Sequence, residues 1–442
     1  MTKPGLILVE LNELNFDVVR EYIDKGESLP NFERLMRFET RVTSSEAQYD
    51  LLEPWIQWPS VHTGMTFSEH KIFRLGDVVQ EQPRQIFELL EANGYKVGAI
   101  SPMNAANALT GPAYFVPDPW TKTSSDNSFL SRMLSSALRQ TVNHNSEGRV
   151  TFKSLCYLAC CFLLLVRPRS YLRLIIMAFS SLGKPWRRAI FLDRLLHEIH
   201  FSLLAKRSPD FSAVFFNAGA HIQHHYFLNS ASKMVKENSN PSWYVAADED
   251  PLREMLLEYD QILGDLLLAE RRDVLVATGL TQIPVESSSF YYRLKDHARF
   301  LKNLGLPRFT VSPRMTRDFL VSCCSERDAR LVATELAKIV TRDGIKIFGE
   351  IDNRGEDVFV VLDYSREITA DTEIFICGSW RRFIDDVVFV AVKNGRHAGK
   401  GFAYFSPGLS NYLPDNGAHV SSLFLTICSY FGIPQASCNV SS

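Results

Sequence analysis

The chain has 442 residues, 46% hydrophobic and 22% charged, with a formal net charge of −2 and a pI near 6.6. These values exclude the disordered and fibrous classes, and the lack of a basic excess argues against nucleic acid as a partner. The length suits one large domain with insertions, or two to three domains, with ample core.

The opening MTKPGLILVELNEL is not a signal peptide in form, because its apolar run is short and acidic residues follow at once. Eight scattered Cys, among them the adjacent pairs Cys160–Cys161 and Cys323–Cys324 with no CxxC, suggest a reducing, cytoplasmic setting. The sequon at Asn439 then carries no weight.

GLILVEL (5–11) reads as a short buried strand, and a helix is expected to start between Asn12 and Arg20. RQIFELLEAN (84–93) has helical apolar spacing, Gly94 ends it, and YKVGAIS follows as a strand. The step recurs: a helix over Phe191–Leu204 precedes the strand SAVFFNAG (212–219), and a long amphipathic helix over 252–270 precedes DVLVATG (273–279). Such alternation predicts an α/β fold with a mostly parallel central sheet flanked by helices. Ligands of open parallel sheets bind at the C-terminal ends of strands. The stretches to inspect are therefore Glu10–Glu13, Asn217–His225, Ala277–Gln282 and the region near Gly395.

Two insertions interrupt this pattern. The core is expected over 1–109, 206–285 and 391–442. Residues 286–390 form a small α+β insertion: strand DFLVSCC, helix 325–341, then strands IKIFGEI and DVFVVLDY around the turn Asp352-Asn353-Arg354-Gly355. Residues 110–205 form a loop-rich, then helical insertion. Within it Leu155–Val166 is almost wholly apolar, and a second apolar stretch runs over Tyr171–Phe179. Neither reaches the about 20 residues that span a bilayer. Lys153, Arg167, Arg169, Arg173, Lys184, Arg187 and Arg188 flank them. Segment 153–188 is either a buried helical hairpin or an interfacial element touching the inner face of a membrane or a lipid-linked substrate.

Three constellations carry chemistry. His221, His224 and His225 follow an apolar strand directly. At i,i+3 or i,i+4 spacing two of them share a helical face and can bind one ion, Zn above all and Mn as the alternative. The bland reading is a hydrogen-bonded cluster. Gly395-Arg396-His397, before a glycine-punctuated strand, offers a further ligand. Glu53-Pro54-Trp55-Ile56-Gln57-Trp58-Pro59-Ser60 joins Trp, Glu and Gln in a pattern that reads as a binding wall or as packing anchors. His62, His70 and His419 read as local hydrogen-bonding residues. Asn217 could contact a substrate oxygen. Asn12 and Glu13 could cap the first helix or reach a metal, and Asn12 is read as the cap.

Trp58-x-Ser60-x-x-Thr63-Gly64, then His70-x-Ile72-Phe73, resembles the alkaline phosphatase superfamily in its nucleotide pyrophosphatase/phosphodiesterase-like branch, with its W-T-S-x-x-T-G and P-x-x-H-G-I motifs. Gly395-x-His397 with Gly401, the 220–225 cluster in place of D-x-x-x-H, and the closing LFLTICSYFGIP (423–434) extend the resemblance along the chain. It implies a metal-dependent hydrolase or transferase of phosphoesters or related anionic esters, with two ions about 4 Å apart.

Departures from the family pattern reshape that expectation. Glu10 stands for the first-strand Asp, Pro54 occupies the position of the nucleophile, and Thr278-Gly279 replaces the Asp-His of S-D-H-G. What survives suggests one His-rich, three-His site with an open position, built from His397, from His225 or His224, and from His221 in place of the Asp, with His221, His225 and His397 as the expected set. Glu10 or Glu53 would act as general base, Ser60 as a fallback nucleophile, and Trp55, Gln57, Trp58 and Asn217 would hold a small-molecule or glycan-type anionic substrate. The alternative is a non-catalytic relative that binds a ligand or partner in the same cleft.

Overall fold

The computed structural model describes residues 4–143, 159, 162–236, 239–269, 272–313 and 317–434. The chain divides into two units, one of residues 1–284 with 395–442 and one of residues 285–394.

The first unit is an α/β sandwich around a seven-stranded sheet. Its strands are β1 (Gly5–Leu11), β2 (Glu39–Ser44), β3 (Val97–Ile100), β4 (Tyr114–Val116), β5 (Phe211–Phe216), β6 (Arg272–Ala277) and the strand Lys400–Phe405. Their order is β2, Lys400–Phe405, β6, β1, β5, β3, β4. β1 pairs in parallel with β5 and β6, and β3 pairs in parallel with β4 and β5, while Lys400–Phe405 runs antiparallel to β2 and β6.

The central strands are mostly apolar because both faces are covered, with Glu10, Ser212 and Asp273 as buried polar exceptions. Side chains alternate across β1. Ile7, Val9 and Leu11 join the core on one face, with Phe16, Ile199, Tyr259 and Leu263. Leu6 and Leu8 join the other, with Trp58, Leu90 and Ile427. The helices Phe16–Asp24, Pro185–Arg207 and Pro251–Leu267 cover the first face, and Pro54–Thr63, Ile86–Ala92 and Ser422–Tyr430 cover the second. The predicted βα steps therefore hold. The first helix starts later than Asn12: Asn15 caps it, accepting from the Asp17 N–H at 3.0 Å.

In the second unit a four-stranded antiparallel sheet runs Phe348–Arg354, Asp357–Leu362, Asp318–Cys323, Phe309–Pro313. The helix Glu326–Ala337 buries Ala329, Val332 and Leu336 in a core with Phe319, Val321, Val358 and Val360. Gly355, at φ 75°, makes the turn between the paired strands.

Segment 153–188 is described only at 159 and from 162 on. Over those residues the buried-hairpin expectation fails. Leu172, Ile176 and Phe179 of the helix Tyr171–Ser180 are exposed, although Leu174 on its other side lies in the core. Residues 153–158, 160 and 161 of the segment lie outside the described residues.

Candidate metal centre

The four strand ends singled out from the sequence converge in the first unit. Beyond β1 the chain turns sharply, and Glu13 adopts φ 58°, a left-handed conformation uncommon for a side chain of this kind. Neighbours hold it there. Its N–H donates to the Thr278 carbonyl at 3.0 Å, and its own carbonyl accepts from Gln223 Nε2 at 2.9 Å. Its carboxylate accepts from Gln282 Nε2. Gln282 also donates to the Ala220 carbonyl at 3.1 Å, which joins the β6 end to the helix Ala218–Tyr226.

That helix follows β5 and presents His224. Its first turn is fixed by Asp193 and Tyr259. The Asp193 carboxylate accepts from the Ala218 N–H at 2.7 Å and from the Tyr259 hydroxyl at 2.6 Å, and the Gly219 N–H donates to that hydroxyl at 2.9 Å. His397 arrives on the strand Val387–Ala398. Gly395 makes this approach possible: a Cβ there would lie 2.3 Å from Gln282 Oε1 and 2.5 Å from the Gln223 carbonyl.

The result is a triangle of ligand atoms. His224 Nε2 and His397 Nε2 are 3.1 Å apart, and they lie 3.2 and 3.3 Å from Glu13 Oε2. A tetrahedral ion with bonds near 2.0–2.1 Å needs ligand atoms about 3.3 Å apart. The three atoms thus match one face of a tetrahedron, and two His with one Glu is a set that catalytic zinc sites use. Glu13 is 1% exposed, His397 12% and His224 27%, so the cluster reaches the surface from its histidine side. Burial by itself would raise the Glu13 carboxyl, but His397 and His224 together outweigh it and hold it well below the usual carboxylate range. Glu53 Oε2 sits 3.6 Å from His397 Nδ1, a charge contact longer than a hydrogen bond.

The other residues expected at the site fall elsewhere. His221 and His225 pack ring to ring with centroids 5.0 Å apart and stand outside the triangle, and burial pushes His221 down to about 4. A site of His221, His225 and His397 is therefore not the arrangement formed; His224 faces His397, and Glu13 completes the set. Glu10, expected as a base, is fully buried on the opposite face of β1, with Oε1 2.8 Å from His62 Nε2.

Ser60, expected as a fallback nucleophile, is buried in the helix Pro54–Thr63. Its Oγ bonds the Ile56 carbonyl at 3.3 Å and meets His70 Nε2 at 3.1 Å. His70 Nδ1 accepts from the Ile72 N–H at 3.0 Å, so the proton assigned by this network sits on Nε2 and points at Ser60. A ring that presents N–H there cannot deprotonate the hydroxyl.

Trp58 and Gln57 are also fully buried, which removes them from a substrate wall. Trp58 donates to Asn12 Oδ1 at 2.8 Å, and Gln57 donates to the Leu51 carbonyl at 2.9 Å. Trp55 is half-buried and donates to the Phe73 carbonyl at 3.1 Å. Asn12 is no helix cap: it donates to Asn217 Oδ1 at 2.9 Å, so both amides brace the strand ends beside Glu13.

Glu13 was legible only as one of two possibilities. The signal that could have promoted it is an acidic residue just past a strand end, where a ligand from the neighbouring strand also falls. A second carboxylate–histidine group, His197, Glu198 and Asp265, is a structural ion network: Arg167 and Arg194 already bind Glu198, and Arg167 also binds Asp265. A cavity of about 350 Å³ lined by Tyr114, Phe129, Leu134 and Leu165 contains none of the triangle residues.

No family model matches the chain, and no curated protein sequence matches it. Solved structures do. Phosphonoacetate hydrolase from Sinorhizobium meliloti, in complex with phosphonoacetate, is 14% identical, with 97% of this chain and 96% of that chain covered and a TM-score of 0.41. Murine ectonucleotide pyrophosphatase/phosphodiesterase 5 is 12% identical, with 97% and 95% covered and a TM-score of 0.43. Alkaline phosphatase from the Antarctic bacterium TAB5 is 12% identical, with 97% and 98% covered and a TM-score of 0.41. All three are alkaline phosphatase superfamily proteins.

Proposed function

We propose that this chain is a divergent member of the alkaline phosphatase superfamily that hydrolyses or transfers a phosphoester or related anionic ester at a single metal site. Glu13, His224 and His397 would hold one divalent ion, Zn rather than Mn, because two imidazoles and one carboxylate suit it best. The observation that carries this reading is the 3.1, 3.2 and 3.3 Å triangle of ligand atoms, open on its histidine side. Bound there, zinc supplies a Lewis acid for an ester oxygen and acidifies water.

The chain's own residues do the rest. Gln282 orients the Glu13 carboxylate, and Glu53 favours the His397 tautomer that carries its proton on Nδ1, leaving the Nε2 lone pair toward the triangle. Glu53 is also the carboxylate at the rim that can take a proton from an incoming water. Trp55, half-buried beside it in sequence, is the residue of the expected wall still open to a substrate ring. A glycan-type or lipid-linked substrate at the inner membrane face is the finer form of this proposal.

The test is hydrolysis of p-nitrophenyl phosphate and bis(p-nitrophenyl) phosphate by the purified full chain, after chelation and after return of Zn or Mn. Activity restored by metal and abolished in His397→Ala supports the reading. Protein that retains no metal, with every activity intact in His397→Ala, sinks it. A second reading, a non-catalytic relative that binds an anion in the same cleft, draws on Pro54 at the nucleophile position and on Thr278-Gly279 in place of Asp-His. Metal-dependent binding of a phosphate ester without turnover would select it.

A further inference from the structure

Six large apolar side chains between 163 and 182 are more than half exposed: Leu163, Leu164, Leu172, Ile176, Phe179 and Leu182. The others past half exposure among the described residues, Tyr49, Phe129, Trp243 and Leu268, are scattered along the chain. Single exposed apolar residues are ordinary, but a contiguous group marks a contact surface. Leu172, Ile176 and Phe179 lie at i, i+4 and i+7 of the helix Tyr171–Ser180 and form one stripe.

The element carrying the stripe is well anchored on its inner side. Leu174 is fully buried in the core with Trp186. Arg173 pairs with Glu258 at 2.5 Å, and just upstream Arg167 grips Glu198 through two bonds of 2.7 and 2.8 Å. The helix is thus apolar on the side that faces solvent as well as on the side that faces the core.

Charge identifies the occupant. Residues 153–188 contain seven Lys and Arg and no Asp or Glu. Arg167, Arg173, Lys184 and Arg187 are taken up by Glu198, Glu258, Glu249 and Glu254. Arg188 and Arg169 are exposed on either side of the stripe in sequence, Arg169 69% exposed with one long contact of 3.8 Å to Asp265, and exposed Lys206 donates to the Leu164 carbonyl at 3.1 Å beside it. An apolar stripe with a cationic rim and no acid of its own matches an anionic bilayer surface, where the apolar side chains enter the acyl boundary and the cations meet headgroup phosphates. Pairing with a second copy of the same face would set cationic rim against cationic rim. No helix among the described residues is long and apolar enough to cross a membrane.

We propose that this face, centred on Leu172, Ile176 and Phe179, seats the protein on an anionic lipid surface. The proposal does not depend on the metal reading. Flotation of the full chain with phosphatidylcholine vesicles, with and without phosphatidylglycerol, tests it. We expect binding to the anionic vesicles that falls with salt. Neutralising Arg169 and Arg188 to Gln should weaken it roughly thirtyfold. Ile176→Asp with Phe179→Asp should abolish it while far-UV circular dichroism stays unchanged. No binding to either vesicle, or binding that survives the double Asp variant, overturns the proposal. So does a concentration-dependent dimer in sedimentation that the double Asp variant disrupts.

Discussion

Glu10 and Glu13 stand three residues apart at the end of one strand, and they have opposite fates. Glu10 still obeys the alternation of β1, so it points into the face covered by the helix Pro54–Thr63, where His62 meets it in a sealed core. Glu13 lies past the last strand residue, in a left-handed turn, and its carboxylate faces two imidazoles that reach the surface. A buried carboxylate with one histidine is a structural pair; one with two converging Nε2 atoms and an open side is a ligand set. The difference comes from direction and exposure, which neighbouring positions in a sequence do not convey.

The largest effect that can sharpen this comparison is on stability. His62→Ala leaves the Glu10 carboxylate buried without its partner and should cost about 3–5 kcal/mol in urea unfolding. Zinc affinity per folded molecule should be unchanged. A variant of normal stability with impaired zinc binding would reverse the roles assigned to the two carboxylates.

Next comes the support of the His224 helix. Burial raises Asp193 from 3.8 to about 6, against the bonds from Tyr259 and the Ala218 N–H. A folded-state value above the unfolded one means the stabilisation is complete below about pH 3.8 and lost as pH rises through about 6. Asp193→Asn should remove roughly 2–3 kcal/mol of that decline between those values. Parallel pH profiles of unfolding for the two proteins would count against a buried Asp193 in this role.

Gly395→Ala should cost about 1–3 kcal/mol, because its Cβ meets Gln282 and the Gln223 carbonyl. It should also weaken zinc binding, since the strand carrying His397 must shift. A neutral result would mean that the close approach at Gly395 does not position the ligand. Ser60→Ala should matter least, about 0.5–1.5 kcal/mol of stability, with any esterase activity retained. Lost turnover with intact folding would return Ser60 to the chemistry.

Much of the architecture was legible. The apolar runs 5–11, 212–219 and 273–279 became β1, β5 and β6 with small shifts, because strands buried on both faces read as nearly continuous apolar runs even with a buried Glu10, Ser212 or Asp273 among them. The four strand ends named in advance supply Glu13, His224, Gln282 and His397. The choice within each end was not legible. Helical spacing allows His221 with His224 or with His225, and only the angle at which the helix follows β5 turns His224 toward His397. The Trp58 and Ser60 stretch misleads for another reason. The helix Pro54–Thr63 is buried on nearly every side, so its polar residues bond backbone carbonyls and side chains of other elements rather than a ligand.

The central claim is one ion on Glu13, His224 and His397. Elemental analysis of the purified chain, joined to anomalous scattering at the zinc edge from its crystals, measures it directly. The account predicts one zinc per chain, in contact with all three side chains and lost in Glu13→Gln. Two ions, an ion held by His221 and His225, or no ion after zinc is supplied would contradict it.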